Sequence, residues 1–324
     1  MEKLLEKIYS FRELSALKRL WGTLKALPLS IFNFKKFSAL ILVAAELIGM
    51  LLFQYPLTPR GQAINLDEWE LTWSDEFDGD SLDTTKWRPS YSYVRRGGIW
   101  DKGQVSVHDG TLRITTEYLS DGPLGAGWYS EEISTKGLFE QQYGYFECKC
   151  ICPGAKGLWA AFWMLSEGMF EPPTGSAANG CEIDLFESGF FGAKQKYRRN
   201  IVNQATGFDG YGEGSSGVIV GHYQGKNIYT EYNTYGLEWS KDELIFYING
   251  VETDRLSGKW VPQVKEYLLL SVEVAGTNGE TGIGGDGLPF AEENKNINNN
   301  DMSIFPIDFI VDYVRVYQRK GGTN

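Results

Sequence analysis

The chain of 324 residues contains only two histidines and four cysteines. No G-x-S-x-G segment occurs, and two histidines support a catalytic triad poorly, so the sequence argues against a serine hydrolase. The absence of a C-x-x-C pair argues against the common zinc sites. Beyond residue 66 no long apolar stripe follows the helical period, which argues against a helical domain.

Positive charge is scarce outside the N-terminal segment. Residues 1–36 hold eight basic and three acidic side chains, a net charge of +5, which leaves −16 for the rest of a chain whose total is −11. Binding to nucleic acid requires a basic face for the phosphates. No nucleic-acid partner is therefore expected.

One apolar run, Phe37 to Phe53, extends over 17 residues and contains a single charged residue, Glu46. Its length is slightly below the roughly 20 residues that span a bilayer. Two lysines precede it directly, which places the following chain outside the cytoplasm. We expect residues 1–63 to form a leader with a membrane-targeting helix, and the protein to be exported. The leader is either an uncleaved membrane anchor or a signal removed after Ala63, and a buried core helix is the alternative.

Residues 64–324 alternate between short strand-like segments and turns. The segment KGQVSVHDGTLRITTEY alternates on both sides of Asp109-Gly110, which predicts a hairpin, and Asn249-Gly250 predicts another tight turn. The aromatic and glycine contents, with 10 Trp, 18 Tyr, 18 Phe and 38 Gly, favour β-structure. We expect one all-β domain, a jelly-roll sandwich of two antiparallel sheets.

The cysteines lie at Cys148, Cys150, Cys152 and Cys181. The first three alternate along one predicted strand and share a face, where neighbours two residues apart are badly placed to form a disulfide. Packing in the core as small apolar side chains is the favoured interpretation. A disulfide from this strand to Cys181 and a C-x-C-x-C metal site are the alternatives.

The segment GCEIDLFESG, residues 180–189, brings three carboxylates close together. In a regular strand Glu182 and Asp184 share a face, whereas Glu187 points to the opposite face. Three acids on a solvated surface are the simple interpretation. A β-bulge near Leu185 or Phe186 would return Glu187 to the face of the other two.

With such a bulge, Glu182 and Glu187 are spaced like a regular i, i+4 pair, about 13 Å apart at Cα. Their carboxyls can then approach to about 5–6 Å, close to the separation of a nucleophile and an acid/base in retaining glycosidases. Like charges at that distance keep one group protonated near neutral pH. Asp184 can hydrogen-bond the nucleophile and help to locate this proton.

This segment, GCEIDLFES, resembles the bulged E-x-D-x-x-E active-site signature of laminarinase-like members of glycoside hydrolase family 16. Four further segments resemble blocks of that family in the same order: WSDEFDGDSLDTTKW (73–87), YGYFECKCICPGAKGLWAAFWML (143–165), YNTYGLEWSKDELIFYINGVE (232–252) and VDYVRVYQ (311–318). The resemblance implies a jelly roll with a substrate cleft on its concave sheet. It also implies retaining cleavage of internal linkages in a β-linked polysaccharide.

By position in the motif, Glu182 matches the nucleophile, Glu187 the acid/base and Asp184 an assisting carboxylate. Trp159 and Trp163 match tryptophans that line the sugar subsites, with core packing as the alternative. The reaction requires no cofactor.

The resemblance also implies a structural calcium ion at Glu76, Gly110 and Asp312, which offer oxygen ligands. Acids on the surface are the simple alternative. Such relatives often carry histidines at the positions of Gly207 and Asn233, and both histidines are missing here. We expect their absence to affect substrate contacts and not the carboxylate chemistry, which needs no histidine.

The resemblance favours a β-1,3-glucan or a mixed β-1,3/1,4-glucan as the substrate. Hydrolysis of a galactan, or transfer of the glycosyl group to another sugar, is an alternative within the same fold. A sugar-binding lectin is the alternative from another class, because fold does not fix function.

Overall fold

The computed structural model describes residues 62–155, 157–169, 182–188, 202–207, 215–220, 227–258, 261–274 and 303–321, with backbone only for 202–207 and 215–220. The apolar run of residues 37–53 lies outside the described residues. Export, cleavage after Ala63 and the domain boundary therefore stay predictions. No helix among the described residues is long and apolar enough to cross a membrane.

The described residues form short strands and two single-turn 3₁₀ helices, Leu66–Glu68 and Lys102–Gln104. The strands are β1 (Trp69–Asp75), β2 (Arg88–Pro89), β3 (Tyr93–Arg95), β4 (Gly98–Trp100), β5 (Val105–His108), β6 (Thr111–Gly122), β7 (Gly125–Ser130), β8 (Glu132–Ser134), β9 (Gly144–Ile151), β10 (Leu158–Leu165), β11 (Glu182–Ser188), β12 (Val202–Gly207), β13 (Ser215–Val220), β14 (Asn233–Trp239), β15 (Glu243–Ile248), β16 (Val251–Ser257), β17 (Tyr267–Val274) and β18 (Ile307–Arg319).

These strands form two sheets. The 7-stranded sheet has the order β13-β12-β11-β10-β17-β8-β2. The 11-stranded sheet has the order β16-β15-β14-β9-β18-β6-β7-β4-β3, with β1 beside β18 and β5 beside β6. Within the described chain every pairing is antiparallel except that of β4 with β7. The prediction of an all-β protein with two sheets is confirmed.

Both predicted tight turns occur. Asp109-Gly110 joins β5 to β6 with φ angles of 53° and 67°, and Asn249-Gly250 joins β15 to β16 with 51° and 73°. Two successive residues in the left-handed region are characteristic of the two-residue hairpin turn, where Asn-Gly and Asp-Gly are favoured. The turn residues thus fix the register of both hairpins.

The strand β9 places its cysteines in the core. Cys148, Cys150 and Cys152 are buried and free, while the intervening Lys149 is half-buried. Core packing is therefore confirmed for these three residues. Cys181 lies outside the described residues.

The two sheets meet through aromatic side chains. Phe186 of β11 stacks on Tyr235 of β14 with ring centroids 4.0 Å apart, and it meets Phe309 of β18 edge-on at 6.1 Å. Ile183 and Leu185 are also fully buried. Ile183, Leu185 and Phe186 therefore face the core between the sheets. The acidic residues of β11 face the opposite side of their sheet.

The segment before β1 pairs with the first residues of β16. The Ile64 N–H donates to Gly250 O at 2.9 Å, and the Glu252 N–H donates to Gln62 O at 3.1 Å. Ala63 forms an antiparallel bridge with Val251. The chain therefore enters the domain along the sheet that does not carry the acidic motif.

Candidate active site

The strand β11 contains one residue more than its neighbours. Phe162 of β10 lies opposite Phe186, and the next residue, Trp163, lies opposite Asp184, so Leu185 has no opposite residue. The pairing of β11 with β12 shows an irregularity at the same place. The predicted bulge is confirmed, at Leu185.

The bulge brings the three carboxylates to one face of the 7-stranded sheet. The residues opposite Glu182, Asp184 and Glu187 lie two apart along β10, so they share a face: Leu165, Trp163 and Ala161. Asp184 is 8% exposed, while the two glutamates are half-buried. The site therefore brings three carboxyl groups together and partly excludes water from them.

Burial is the main reason that Glu187 is a weak acid here. Burial, assisted by the negative charge of Glu182, raises the pKa of Glu187 to about 8. A hydrogen bond from Trp159 and the positive charge of Arg96 oppose this rise. A carboxyl with this pKa is mostly protonated at neutral pH and can donate a proton.

The other two carboxyls respond differently to their surroundings. Burial, followed by the charges of Glu187, Glu182 and Glu266, raises the pKa of Asp184 well above its ordinary value. Burial also raises the pKa of Glu182, but the adjacent arginines at 95–96 favour its anion. The site therefore favours protons on Asp184 and Glu187, whereas the two arginines oppose protonation of Glu182.

Both predicted tryptophans lie on the same face as the carboxylates, and both are half-buried. The Trp163 indole N–H donates to Ser271 Oγ at 3.1 Å, and its ring packs against an apolar cluster of Leu165, Met169, Tyr267 and Leu269. The guanidinium of Arg96 lies 5.0 Å from the centroid of the Trp159 ring. Their role in sugar binding stays a prediction.

Two arginines and one carboxylate near the motif were not predicted from the sequence. Arg95 is the last residue of β3 and Arg96 follows it in the turn to β4, and both pair with Glu273 of β17. Glu273 lies directly opposite Trp159. No local pattern marks these residues, because Arg95 and Glu273 are 178 residues apart in the chain.

Two of the three predicted calcium ligands, Glu76 and Asp312, pair with cationic side chains. Glu76 accepts two hydrogen bonds from Arg315, at 2.9 and 2.7 Å, and Asp312 lies 2.6 Å from Lys149 Nζ. The described residues hold no group of three or more His, Cys, Asp or Glu side chains arranged for a metal ion. Calcium would have to displace Arg315 from Glu76 and Lys149 from Asp312, and the site with Gly110 stays a prediction.

Asn233 occupies the position of one missing histidine, but it does not belong to the site face. It is fully buried in β14 of the other sheet, where it donates to Glu231 O and accepts from Asn249, both at 2.9 Å. The effect of this replacement on substrate contacts stays a prediction. The other replaced position, Gly207 of β12, pairs with Glu182 of β11, and its effect also stays a prediction.

Comparison with known proteins gives the family. The family model described as "Beta-porphyranase A-D, GH16 domain" matches residues 69–319. The chain belongs to glycoside hydrolase family 16. The predicted family is confirmed, and the two sheets agree with the jelly-roll fold of its solved structures.

Relatives within family 16 differ in their named substrates. The keratan-sulfate endo-1,4-beta-galactosidase of Sphingobacterium multivorum is 29% identical over 270 residues, which cover 78% of this chain and 56% of that protein. The beta-glucanase of Rhodothermus marinus is 25% identical over 278 residues, 77% of this chain and 85% of that protein.

Among solved structures, the laminarinase catalytic domain of Thermotoga maritima MSB8 has a TM-score of 0.59 at 26% identity, covering 78% of this chain and 98% of that one. The present chain thus spans little more than half of the keratan-sulfate relative but nearly all of this laminarinase domain. Family membership alone does not select the polysaccharide.

Proposed function

We propose that the protein is a retaining, endo-acting hydrolase in which Glu182 is the nucleophile and Glu187 the acid/base. The observation that carries this proposal is the bulge at Leu185, which brings both glutamates to one face. The raised pKa of Glu187 and the arginines near Glu182 support the same assignment of roles. Retaining glycosidases require one protonated and one ionised carboxyl in this arrangement.

In the first step, a Glu182 carboxylate oxygen bonds to the anomeric carbon while the glycosidic C–O bond breaks. The leaving oxygen takes the proton of Glu187. In the second step, the Glu187 carboxylate accepts a proton from water, whose oxygen attacks the anomeric carbon and releases Glu182. Asp184, held neutral by its surroundings, donates a hydrogen bond to Glu182 in this scheme.

We propose an anionic β-linked galactan as the substrate class. The matching family model is named for porphyranases, and the first relative is named for a sulfated polymer. Arg95 and Arg96 place two guanidinium groups beside the carboxylates, although the whole chain carries −11. Guanidinium groups are suited to bind the charged groups of an anionic polymer. A β-1,3-glucan or mixed-linkage glucan is the second candidate, supported by the laminarinase and β-glucanase relatives.

Release of reducing ends from a polymer panel tests this assignment. The panel contains porphyran, keratan sulfate, chemically desulfated keratan, agarose, laminarin and lichenan, and Glu182→Gln serves as the inactive control. We expect release from a galactan, with desulfation lowering kcat/KM. Release from laminarin or lichenan alone would select the glucan candidate. Binding without release from any polymer would select the lectin alternative.

The stereochemistry of the product tests the retaining mechanism. Two successive displacements at one carbon restore its configuration, so the first new reducing ends should be β-anomers. Proton NMR of the anomeric signals, recorded before mutarotation, distinguishes the two outcomes. Initial accumulation of the α-anomer would show a single displacement and contradict the role of Glu182 as nucleophile.

The pH dependence of kcat/KM should be bell-shaped, with an alkaline limb near pH 8. Activity requires a proton on Glu187, whose pKa is raised to about 8, so kcat/KM should fall as the pH rises through that value. It requires an ionised Glu182, whose pKa is also raised, so the acidic limb should lie above the ordinary value of 4.5. Initial rates from pH 4 to 10 measure both limbs. An alkaline limb below pH 6 would contradict the assignment of Glu187.

We also propose that the catalytic domain is exported by the leader of residues 1–63. The basic flank and the apolar run at residues 37–53 support this proposal. Cell fractionation of the full chain and of a chain lacking residues 37–53 tests it. Equal distribution of both between cytoplasm and exterior would contradict export through this segment.

A further inference from the structure

Glu273 is a buried carboxylate beside the site that takes no part in the proposed reaction. It is 7% exposed and lies opposite Trp159 in the sheet. The Arg95 Nε–H donates to its Oε1 at 2.9 Å, and Arg96 pairs with its Oε2 through Nε. One carboxylate of the sheet thus binds two cations of a neighbouring hairpin.

Further contacts attach the same hairpin to β17. The Gly97 N–H donates to Val274 O at 3.0 Å, and the Trp100 indole N–H donates to Val272 O at 2.9 Å. A Cβ on Gly98 would lie only 3.0 Å from Val274 side-chain atoms, so the hairpin approaches the strand closely. The backbone of the hairpin is therefore fixed independently of Glu273, which leaves Glu273 to direct the two arginine side chains.

Arg96 adopts a backbone conformation that favours glycine, with a φ of 53°. Its side chain nevertheless lies in a defined place, paired with Glu273 and stacked over Trp159 at 5.0 Å from the ring centroid. Arg95 lies in the same way over Trp100, at 5.2 Å. A planar guanidinium combines a directed ion pair with stacking, which a lysine cannot do equally well.

The arginines and their tryptophan influence the catalytic carboxyls in two ways. Trp159, beneath Arg96, lies close enough to Glu187 to lower the pKa of its carboxyl. The charge of Arg96 also lowers the pKa of both Glu187 and Glu182. Among the described residues, Arg95 also lowers the pKa of Glu182, and the charges of the two glutamates raise the pKa of Asp184 on the same strand. The charge of Glu182 also contributes to the raised pKa of Tyr267.

We propose that Glu273 is a positioning residue that holds Arg95 and Arg96 over their tryptophans and so fixes a cationic wall beside Glu182 and Glu187. The proposal rests on the function proposed for those two glutamates. It predicts that Glu273 acts on the acid/base through Arg96, and not through its own charge.

The alkaline limb of kcat/KM separates these two modes of action. If Glu273 acted only by its charge, Glu273→Gln would lower the pKa of Glu187 and move the limb to lower pH. If Glu273 holds Arg96 in place, Glu273→Gln releases the guanidinium, which then no longer lowers the pKa of Glu187. The alkaline limb then moves to higher pH, as it should in Arg96→Gln. We expect both variants to move the limb upward by roughly 0.5–1 pH unit. The double variant should show no further shift.

Matched variants complete this experiment. Glu243→Gln removes an exposed partner of Arg255 in the other sheet, 2.8 Å away, and should leave the limb unchanged. If Glu273→Gln does not fold, as judged by circular dichroism, Glu273→Asp replaces it, because the shorter side chain keeps the charge but cannot reach both arginines. A downward shift or no shift in the folded variant would overturn the proposal.

A second measurement does not depend on activity. In a ¹⁵N-labelled full chain, the Nε–Hε signals of Arg95 and Arg96 should be protected from exchange with solvent, because Arg95 donates to Glu273 through Nε and Arg96 forms an ion pair with it through the same atom. Glu273→Gln should lower this protection at least about tenfold, whereas Glu243→Gln should not change it. Unaltered protection would overturn the proposal. If the wild-type chain shows no hydrolase activity but Glu273→Gln still lowers the protection, the proposed function is rejected and the positioning role of Glu273 is retained.

Discussion

Glu182→Gln is expected to lower kcat for polysaccharide hydrolysis at least about 10³-fold, equivalent to about 4 kcal/mol of lost transition-state stabilisation. The amide cannot form the covalent bond to the anomeric carbon, yet it nearly preserves the volume of the half-buried side chain. Steady-state rates on the preferred polymer measure the loss, and unchanged circular dichroism shows that the fold persists. A loss below tenfold would contradict the nucleophile assignment.

Glu187→Gln provides the matched comparison, because it removes the proton donor and leaves the nucleophile. An aryl glycoside with a good leaving group needs no proton to depart in the first step. We therefore expect this variant to release about one phenol per enzyme in a rapid burst, followed by slow turnover. Glu182→Gln should give no burst. Identical behaviour of the two variants would contradict the separate roles.

Phe186→Ala is expected to lower the free energy of unfolding by about 3–5 kcal/mol. Its ring is fully buried and stacks on Tyr235 at 4.0 Å between the two sheets, so truncation leaves a cavity where the sheets meet. Urea denaturation measures the change. Leu138→Ala, at a side chain that is 43% exposed, should alter stability by less than about 0.5 kcal/mol. A loss below about 1 kcal/mol for Phe186→Ala would show that this contact does not hold the sheets together.

The sequence was most informative where structure follows a local rule. Asp109-Gly110 and Asn249-Gly250 predicted their turns because left-handed backbone conformations restrict the residue choice. Alternation along β9 predicted the buried cysteines for a similar reason, since successive side chains of a strand face opposite sides.

The bulge shows how far such rules extend. Regular alternation places Glu187 on the wrong face, and only the chemical demand for two facing glutamates suggested an extra residue at Leu185 or Phe186. The register confirms the extra residue at Leu185. A functional argument therefore located a departure from regular structure that periodicity alone does not reveal.

Glu273, Arg95 and Arg96 could not be found in this way. Their association depends on a hairpin that folds over a strand far away in the chain, and neither segment carries a distinctive local pattern. The ion pairs at the predicted calcium ligands could not be found from the sequence either. The positions of Glu76 and Asp312 follow the family pattern, but the ion pairs they form depend on neighbours across strands.

Residues 62–64 pair with the start of β16. This pairing matters when the domain is produced as a separate fragment. Among the described residues β16 is the outermost strand of its sheet, and an edge strand offers free N–H and C=O groups to a second copy of the chain. Gln62 and Ala63 occupy some of these groups, and the following charged residues, Glu252, Asp254 and Arg255, discourage such pairing. A fragment that begins after Ala63 loses this protection at the start of the strand, so it is more prone to self-association than one that begins a few residues earlier.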